Sequence, residues 1–258
     1  MDYIAGLIEL HRGLPRQGPG DLVFASSLLA RLPPLPARPR IADLGCGSGA
    51  GTLLLARHFR TRVRAVDASA EFIEALKLNA QEAGLDALVE PICADMAKLD
   101  WPRGSIDLLW SEGAAYSIGF ENALRVWRPL MAPRGVAVVS ELSWFEDRIP
   151  DPLRSFWEDA YPGIGDEDQN RQRAEAAGYE MAFTQRLPSA AWWTGYYDAL
   201  KQRLRDTEPG RIPQAVLDDT RKEMSLFEQY SDFYGYTFYV LVAAGSDAVA
   251  DADSGARS

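Results

Sequence analysis

Thiols and imidazoles are scarce in these 258 residues: two cysteines, Cys46 and Cys93, and two histidines, His11 and His58. The cysteines form no CxxC pair, which excludes a disulfide framework and points to a reduced, cytoplasmic setting. Neither histidine has a partner at metal-ligand spacing, so no metal site is expected. No apolar run approaches the ~18 residues of a membrane span. The opening Met1-Asp-Tyr-Ile-Ala-Gly lacks the basic and apolar regions of a secretory signal. Basic residues are also in deficit: 27 Lys and Arg against 37 Asp and Glu, a net charge of -10. Phosphate backbones need cationic neutralisation, so this balance argues against DNA or RNA as the main partner. It suits a neutral or cationic small molecule instead.

What the chain does have is glycine at alternating positions in Ile41-Ala-Asp-Leu-Gly-Cys-Gly-Ser-Gly-Ala50. A short apolar strand pattern runs into Gly45, Gly47 and Gly49, and a helix pattern, Leu53-Leu-Leu-Ala-Arg57, follows. Glycine serves where backbone passes close to a ligand or turns with positive φ. The next helix start offers free N–H groups and a partial positive charge. This is the build of a nucleotide-type cofactor site. Gly45-x-Gly47-x-x-Ala50 also satisfies the dinucleotide fingerprint in its G/A form, so the turn alone does not choose the cofactor.

The surrounding pattern predicts an α/β fold. Two short helices and the stiff Pro33-Pro-Leu-Pro-Ala-Arg-Pro39 link form an N-terminal lid over 1–39. Strands are expected near 40–44, 62–67, 88–94, 105–111 and 136–141, with helices near 50–59, 69–83 and 119–131 between them. Alternation of this kind calls for a parallel sheet covered on both faces, with ligand loops on one edge. Two more strands, 179–188 and 234–244, complete a Rossmann-like, seven-stranded, mostly parallel sheet over 40–245. Insertions near 143–164 and 189–232 form a helical, aromatic cap. The small, polar tail 246–258 is expected to be disordered.

Asp67 ends the second strand, 22 residues after Gly45. A carboxylate there can accept both ribose hydroxyls of NAD or of S-adenosyl-L-methionine. Asp95 ends the third strand, where it can accept from the adenine amine while Met96 packs on the ring. No second glycine fingerprint is present. The run Ile41–Gly49 with Asp43, then Asp67, Ala94-Asp95-Met96 and Ile106-Asp-Leu-Leu-Trp110, resembles the successive motifs of class I S-adenosylmethionine-dependent methyltransferases. Four further stretches, Trp110–Glu121, Ser140–Phe145, Trp193–Tyr196 and Tyr234–Phe238, resemble a bacterial small-molecule subgroup related to the ubiquinone/menaquinone methyltransferase branch. The resemblance covers roughly residues 10–243. It implies that Asp43 and the Gly45–Gly49 loop surround the methionine end of the cofactor, Asp67 the ribose and Asp95 the adenine. Cys46, Ala68 and Ser111 are placed in the same cofactor set. One departure is Pro133-Arg134-Gly135, where the family commonly has Pro-Gly-Gly.

The expected activity is methyl transfer from S-adenosyl-L-methionine to an N, O or C atom of a small molecule by a monomer or homodimer. The alternatives are an NAD(P)-dependent oxidoreductase and a non-catalytic S-adenosylmethionine-binding module. Glu112 and Tyr116 follow the fourth strand. Glu112 can take a proton from the acceptor, hold a cationic amine, or shape the cofactor pocket through loop amides. Glu141, at the end of the fifth strand, is a similar candidate. His11 lies in the segment that can fold over the site, and Arg16 or Gln17 can meet the cofactor carboxylate. Trp144, Tyr161, Trp193, Tyr196 and Tyr197 are expected to line an aromatic substrate pocket.

Overall fold

Ile41–Leu44 (β1) is buried along its whole length, as a strand covered on both faces must be. The computed structural model describes residues 1–245, so the expected disordered tail, 246–258, lies outside the described residues. Parallel pairing joins β1 to Val63–Asp67 (β2) on one side and to Ile106–Ser111 (β4) on the other. Val89–Cys93 (β3) continues the sheet beyond β2, and Met131–Trp144 (β5) continues it beyond β4. Tyr234–Ala243 (β8) runs antiparallel between β5 and Tyr179–Arg186 (β7). The order is β3-β2-β1-β4-β5-β8-β7, and β8 alone is reversed. A two-residue strand, Gly165–Asp166 (β6), pairs with the end of β5 and makes eight strands where seven were expected. It is too short to leave a periodic trace in the sequence.

The chain leaves β1 toward β2 and β3, then returns to β4 on the other side. The crevice beyond the carboxyl ends of β1 and β4 is therefore the topological switch point, where ligands settle in open α/β sheets. Helices cover both faces. Phe120–Trp127 (α5) buries Phe120, Ala123, Leu124 and Trp127, an i, i+3, i+4, i+7 stripe, against Leu109, Val139 and Tyr239. Ala50–Phe59 (α3) and Ala70–Glu82 (α4) bury Leu55, Ile73 and Leu76 on the opposite face.

The N-terminal segment divides rather than acting as one lid. Leu22–Leu29 (α2) packs on α3, and its Phe24 ring lies 5.1 Å from that of Phe238 in β8. Tyr3–His11 (α1) joins the cap and packs on two helices of the connection between β7 and β8. These are Asp198–Asp206 (α9) and Gln214–Tyr230 (α10). Ser189–Trp192 (α8) leads into α9 through a π turn at Trp193–Tyr197. Asp151–Ala160 (α6) completes the cap, and Glu167–Ala176 (α7) covers the outer part of the sheet.

Near the start of β5 the register slips between Ile106↔Met131 and Leu108↔Val136. Arg134 sits in this bulge with φ +62°. An arginine here takes the left-handed backbone that glycine adopts without strain.

Candidate active site

The switch point opens into one cavity of about 590 Å³. The glycine turn forms its floor. Gly45 has φ +76°, and a Cβ there would lie 2.1 Å from the Ala114 methyl, so the loop after β4 closes directly on the turn. Gly49 caps α3 with no side-chain hydrogen bond, leaving first-turn amides free, and Ala50 and Gly51 line the cavity.

Two carboxylates flank the turn. Asp67 accepts from the Gly47 N–H at 2.9 Å and from the Ser69 N–H at 2.8 Å. These bonds aim it along the cavity rim, while burial pushes its pKa up. Asp95 is exposed at the neighbouring strand end, accepts from the Ala97 N–H at 2.9 Å and pairs with Lys98 at 3.1 Å. Both contacts lower its pKa. Met96 lies beside it, its carbonyl fixed by the Trp127 indole N–H at 2.9 Å. Asp43 is buried beneath the turn and accepts from the Thr52 hydroxyl at 2.6 Å. Burial raises it to about 7.

The loop between α1 and α2 covers this floor. Gln17 Oε1 accepts from the Ser48 N–H at 2.8 Å, and Arg16 forms an ion pair with Glu112 in which both side chains are almost wholly buried. Glu112 also lies 3.4 Å from the Trp110 indole nitrogen. It is thus half of a structural pair that fastens the loop to the end of β4, and not the unpaired base or amine anchor that its position suggests.

His11, Tyr116 and Tyr196 line the same cavity. His11 Nδ1 is 2.8 Å from the Leu7 carbonyl, which can only accept, so Nδ1 carries a proton. Its pKa is lowered, mainly by burial, and the neutral ring then accepts at Nε2 from the Tyr196 hydroxyl, 2.6 Å away. Tyr116 keeps 46% of its surface accessible, yet its phenol is desolvated enough to be pushed up to about 12. The accessible face is cavity wall, and at neutral pH this phenol is a donor, not a base.

Asp43, Gly45, Cys46, Gly47, Asp67, Ala68, Asp95, Met96, Glu112, Tyr116, His11 and Tyr196 are brought together around this one space. Cys46 is buried, and its thiol is pushed well up by burial and by the charges of Asp43 and Asp67, which removes it as a nucleophile. Six expected residues stand elsewhere. Gly49 packs on Leu76, and Ser111 is buried and donates to the Leu44 carbonyl at 2.8 Å. Trp144 lies edge-on to Tyr234, and Trp193 edge-on to Tyr197. Tyr161 is T-stacked on Tyr116 but borders a separate pocket with Arg173. Tyr197 is buried behind the wall, its hydroxyl bonded to Glu223 at 2.6 Å. Sequence reasoning missed Trp157 and Ala160 of α6, and Thr220 and Glu223 of α10, as cavity residues. Nothing local in the sequence distinguishes a cavity face of these helices from a core face. Glu141, at the end of β5, does not line the cavity. Neither of its oxygens finds a hydrogen-bond donor, and burial raises it to about 8 although Tyr161 and Arg173 favour its charge.

The strand order and the switch-point cavity are those of a Rossmann-like α/β fold of the kind found in methyltransferases. Residues 41–135 match the family described as "Methyltransferase domain". Over 213 residues the chain is 27% identical to a malonyl-[acyl-carrier protein] O-methyltransferase of Halorhodospira halophila, covering 76% of this chain and 68% of that protein. It is 25% identical over 166 residues to 24-methylenesterol C-methyltransferase 2 of Arabidopsis thaliana, covering 60% of this chain and 46% of the relative, so it spans less than half of that protein's length. Among solved structures, an S-adenosylmethionine-dependent methyltransferase from Thiobacillus denitrificans in complex with S-adenosylhomocysteine is similar at TM-score 0.75 and 18% identity, over 94% of this chain and 99% of that one. The [4+2]-cyclase SpnF is similar at TM-score 0.76 and 19% identity, over 94% of each chain. One scaffold thus carries differently named activities, and chemistry must be argued from the site.

Proposed function

We propose that this protein moves the methyl group of S-adenosyl-L-methionine to an N, O or C atom of a small molecule. One observation carries the reading: the glycine turn, Asp67 and Asp95 share a single cavity with His11, Tyr116 and Tyr196, whose side chains would wall an acceptor chamber. A cofactor-only module would need no such chamber. The donors present fit the cofactor. Asp67 holds the ribose hydroxyls and Asp95 the adenine amine, with Met96 against the ring. Arg16, Gln17, Asp43 and the α3 amides surround the methionine end. When bound, the cofactor supplies an electrophilic methyl on a sulfonium.

The protein's part is alignment and exclusion of water, the main catalytic factors for such a displacement. The loop carrying Arg16 and Gln17 closes over the turn through the Glu112 pair and the Ser48 N–H. Where the acceptor arrives protonated, Tyr196 and His11 offer a route for the proton. The Tyr196 oxygen takes it as its own proton passes to His11 Nε2, and Nδ1 stays bonded to Leu7. The net charge of -10 supports a small-molecule partner over nucleic acid, and the two unpaired cysteines support a cytoplasmic setting. Among the described residues no helix is long and apolar enough to cross a membrane.

Incubation with methyl-labelled cofactor and the small-molecule fraction of a cell extract, followed by mass spectrometry, tests the proposal. A labelled small product is expected. Tight S-adenosylhomocysteine binding without any labelled product overturns methyl transfer in favour of a binding module. Retention of NADH with no retention of S-adenosylhomocysteine overturns the cofactor assignment.

A further inference from the structure

The chamber wall holds one carboxyl group that is absent from the proposed cofactor contacts and is bonded to a single phenol. Glu223 of α10 lines the cavity and accepts from the Tyr197 hydroxyl through Oε1 at 2.6 Å. No other hydrogen bond reaches it among the described residues, so Oε2 is left to the cavity. Its burial pushes its pKa up, and no lysine or arginine counters that shift. The one arginine in the cavity wall, Arg16, is already paired with Glu112, and Lys222, next to Glu223, turns to the Phe156 ring at 5.1 Å.

The groups whose shifts register its charge are all phenols. Tyr3 of α1, Tyr116, Tyr196, Tyr197, Tyr234 and Tyr236 all have their pKa raised in part by the Glu223 charge. None supplies a positive charge, and neutral His11 is tied to Tyr196. A desolvated carboxyl without a cationic partner is costly, and an apolar residue would fill the space without that cost. Rings of Tyr116, Trp157 and Tyr196 line the same chamber. A carboxylate among aromatic rings attracts an ammonium ion twice over, by charge and by the ring quadrupoles, and it repels a phosphate or a carboxylate.

We propose that Glu223, with the ring surfaces of Tyr116, Trp157 and Tyr196, is the binding site for an ammonium group of the methyl acceptor, which makes the acceptor an amine-bearing small molecule. That this molecule is a methyl acceptor rests on the reading of the previous subsection; the preference for a cation does not. Anionic acceptors, phosphorylated or carboxylated at the end facing α10, are rejected by the same group.

Titration calorimetry with three probes of one shape tests this: phenethylammonium, 2-phenylethanol and 3-phenylpropanoate. Each is titrated into the full chain with and without S-adenosylhomocysteine. The wild type is expected to bind the ammonium about tenfold or more tightly than the alcohol, with the carboxylate weakest. Glu223→Gln should erase the ammonium preference while leaving S-adenosylhomocysteine affinity unchanged. Equal affinity for ammonium and alcohol in the wild type overturns the proposal even if the variant does not fold. A preference that survives Glu223→Gln also overturns it. Absence of S-adenosylhomocysteine binding would sink the methyl-transfer reading alone, because the cation preference is read without it as well.

Discussion

Asp67→Asn tests the proposed contact between Asp67 and the ribose hydroxyls of the cofactor. In the wild type the two carboxylate oxygens each accept one backbone N–H, from Gly47 and Ser69, and their remaining lone pairs face the rim of the cavity. Asparagine keeps one acceptor oxygen and turns an NH₂ toward the other backbone donor. The local fold loses about one hydrogen bond, or roughly 1 kcal/mol. The upward pull of burial on the Asp67 pKa offsets part of this, since the variant no longer has a charge to desolvate. The ribose hydroxyls lose more. Each donates to a charged acceptor, a bond of about 1.5–3 kcal/mol, and the variant retains one neutral acceptor in place of two charged ones. A net loss of about 2–3 kcal/mol corresponds to a weakening of about 30- to 150-fold. Calorimetric titration of S-adenosylhomocysteine into both proteins reads this directly, and thermal unfolding without ligand separates it from any loss of fold. A folded variant with a dissociation constant within about twofold of the wild type would remove Asp67 from the cofactor site.

Asp43 and Glu141 carry pKa values of about 7 and about 8 in the folded chain, raised by burial. The unfolded chain releases both protons near pH 4, so the stability they lend is complete below that and is lost as pH rises through 7 and 8. The cofactor-free protein should therefore melt lower at pH 8 than at pH 5, and Glu141→Gln should shrink that difference; a wild-type melting temperature that rises over this range would contradict the assignment. Arg134→Gly relieves a left-handed arginine and loses only an exposed pair with Glu180 at 3.2 Å. A gain of about 0.5–1 kcal/mol is expected, seen as a higher denaturant midpoint at unchanged slope; a lower midpoint would refute the strain. A Cβ on Gly195 would lie 2.1 Å from the Gly20 carbonyl oxygen, so Gly195→Ala must push the π turn away from the loop that carries Arg16 and Gln17. Faster hydrogen exchange across residues 13–20 and weaker S-adenosylhomocysteine binding are expected; unchanged exchange would show that the contact does not hold the loop.

The glycine turn and the two carboxylates beside it were legible because they are local. A strand, three glycines and a helix start lie within ten residues, and Asp67 and Asp95 each end a strand that periodicity locates. The acceptor half depends on contacts that no short window contains. Arg16 meets Glu112 across 96 positions, and His11 meets Tyr196 across 185. Once Arg16 was in place, Glu112 became its partner. The aromatic run Trp192–Tyr197 misled for another reason. A helical wheel assumes 3.6 residues per turn, whereas Trp193–Tyr197 form a π turn, which rotates the wheel. Tyr196 reaches the cavity, Tyr197 supports Glu223 from behind, and Trp193 packs on Tyr197. Glu223 itself lies in a helix whose charged residues are mostly solvent-facing, and no pattern separates it from them. In the sheet, β6 was hidden by its two-residue length.

A crystal structure of the protein with S-adenosylhomocysteine would test the central claim most directly. The account requires both ribose hydroxyls within hydrogen-bond distance of Asp67 and the adenine beside Asp95 and Met96. It also requires the sulfur to face the chamber formed by Tyr116, Tyr196 and Glu223. A ligand seated outside this crevice, or one whose sulfur is walled off from that chamber, would contradict it.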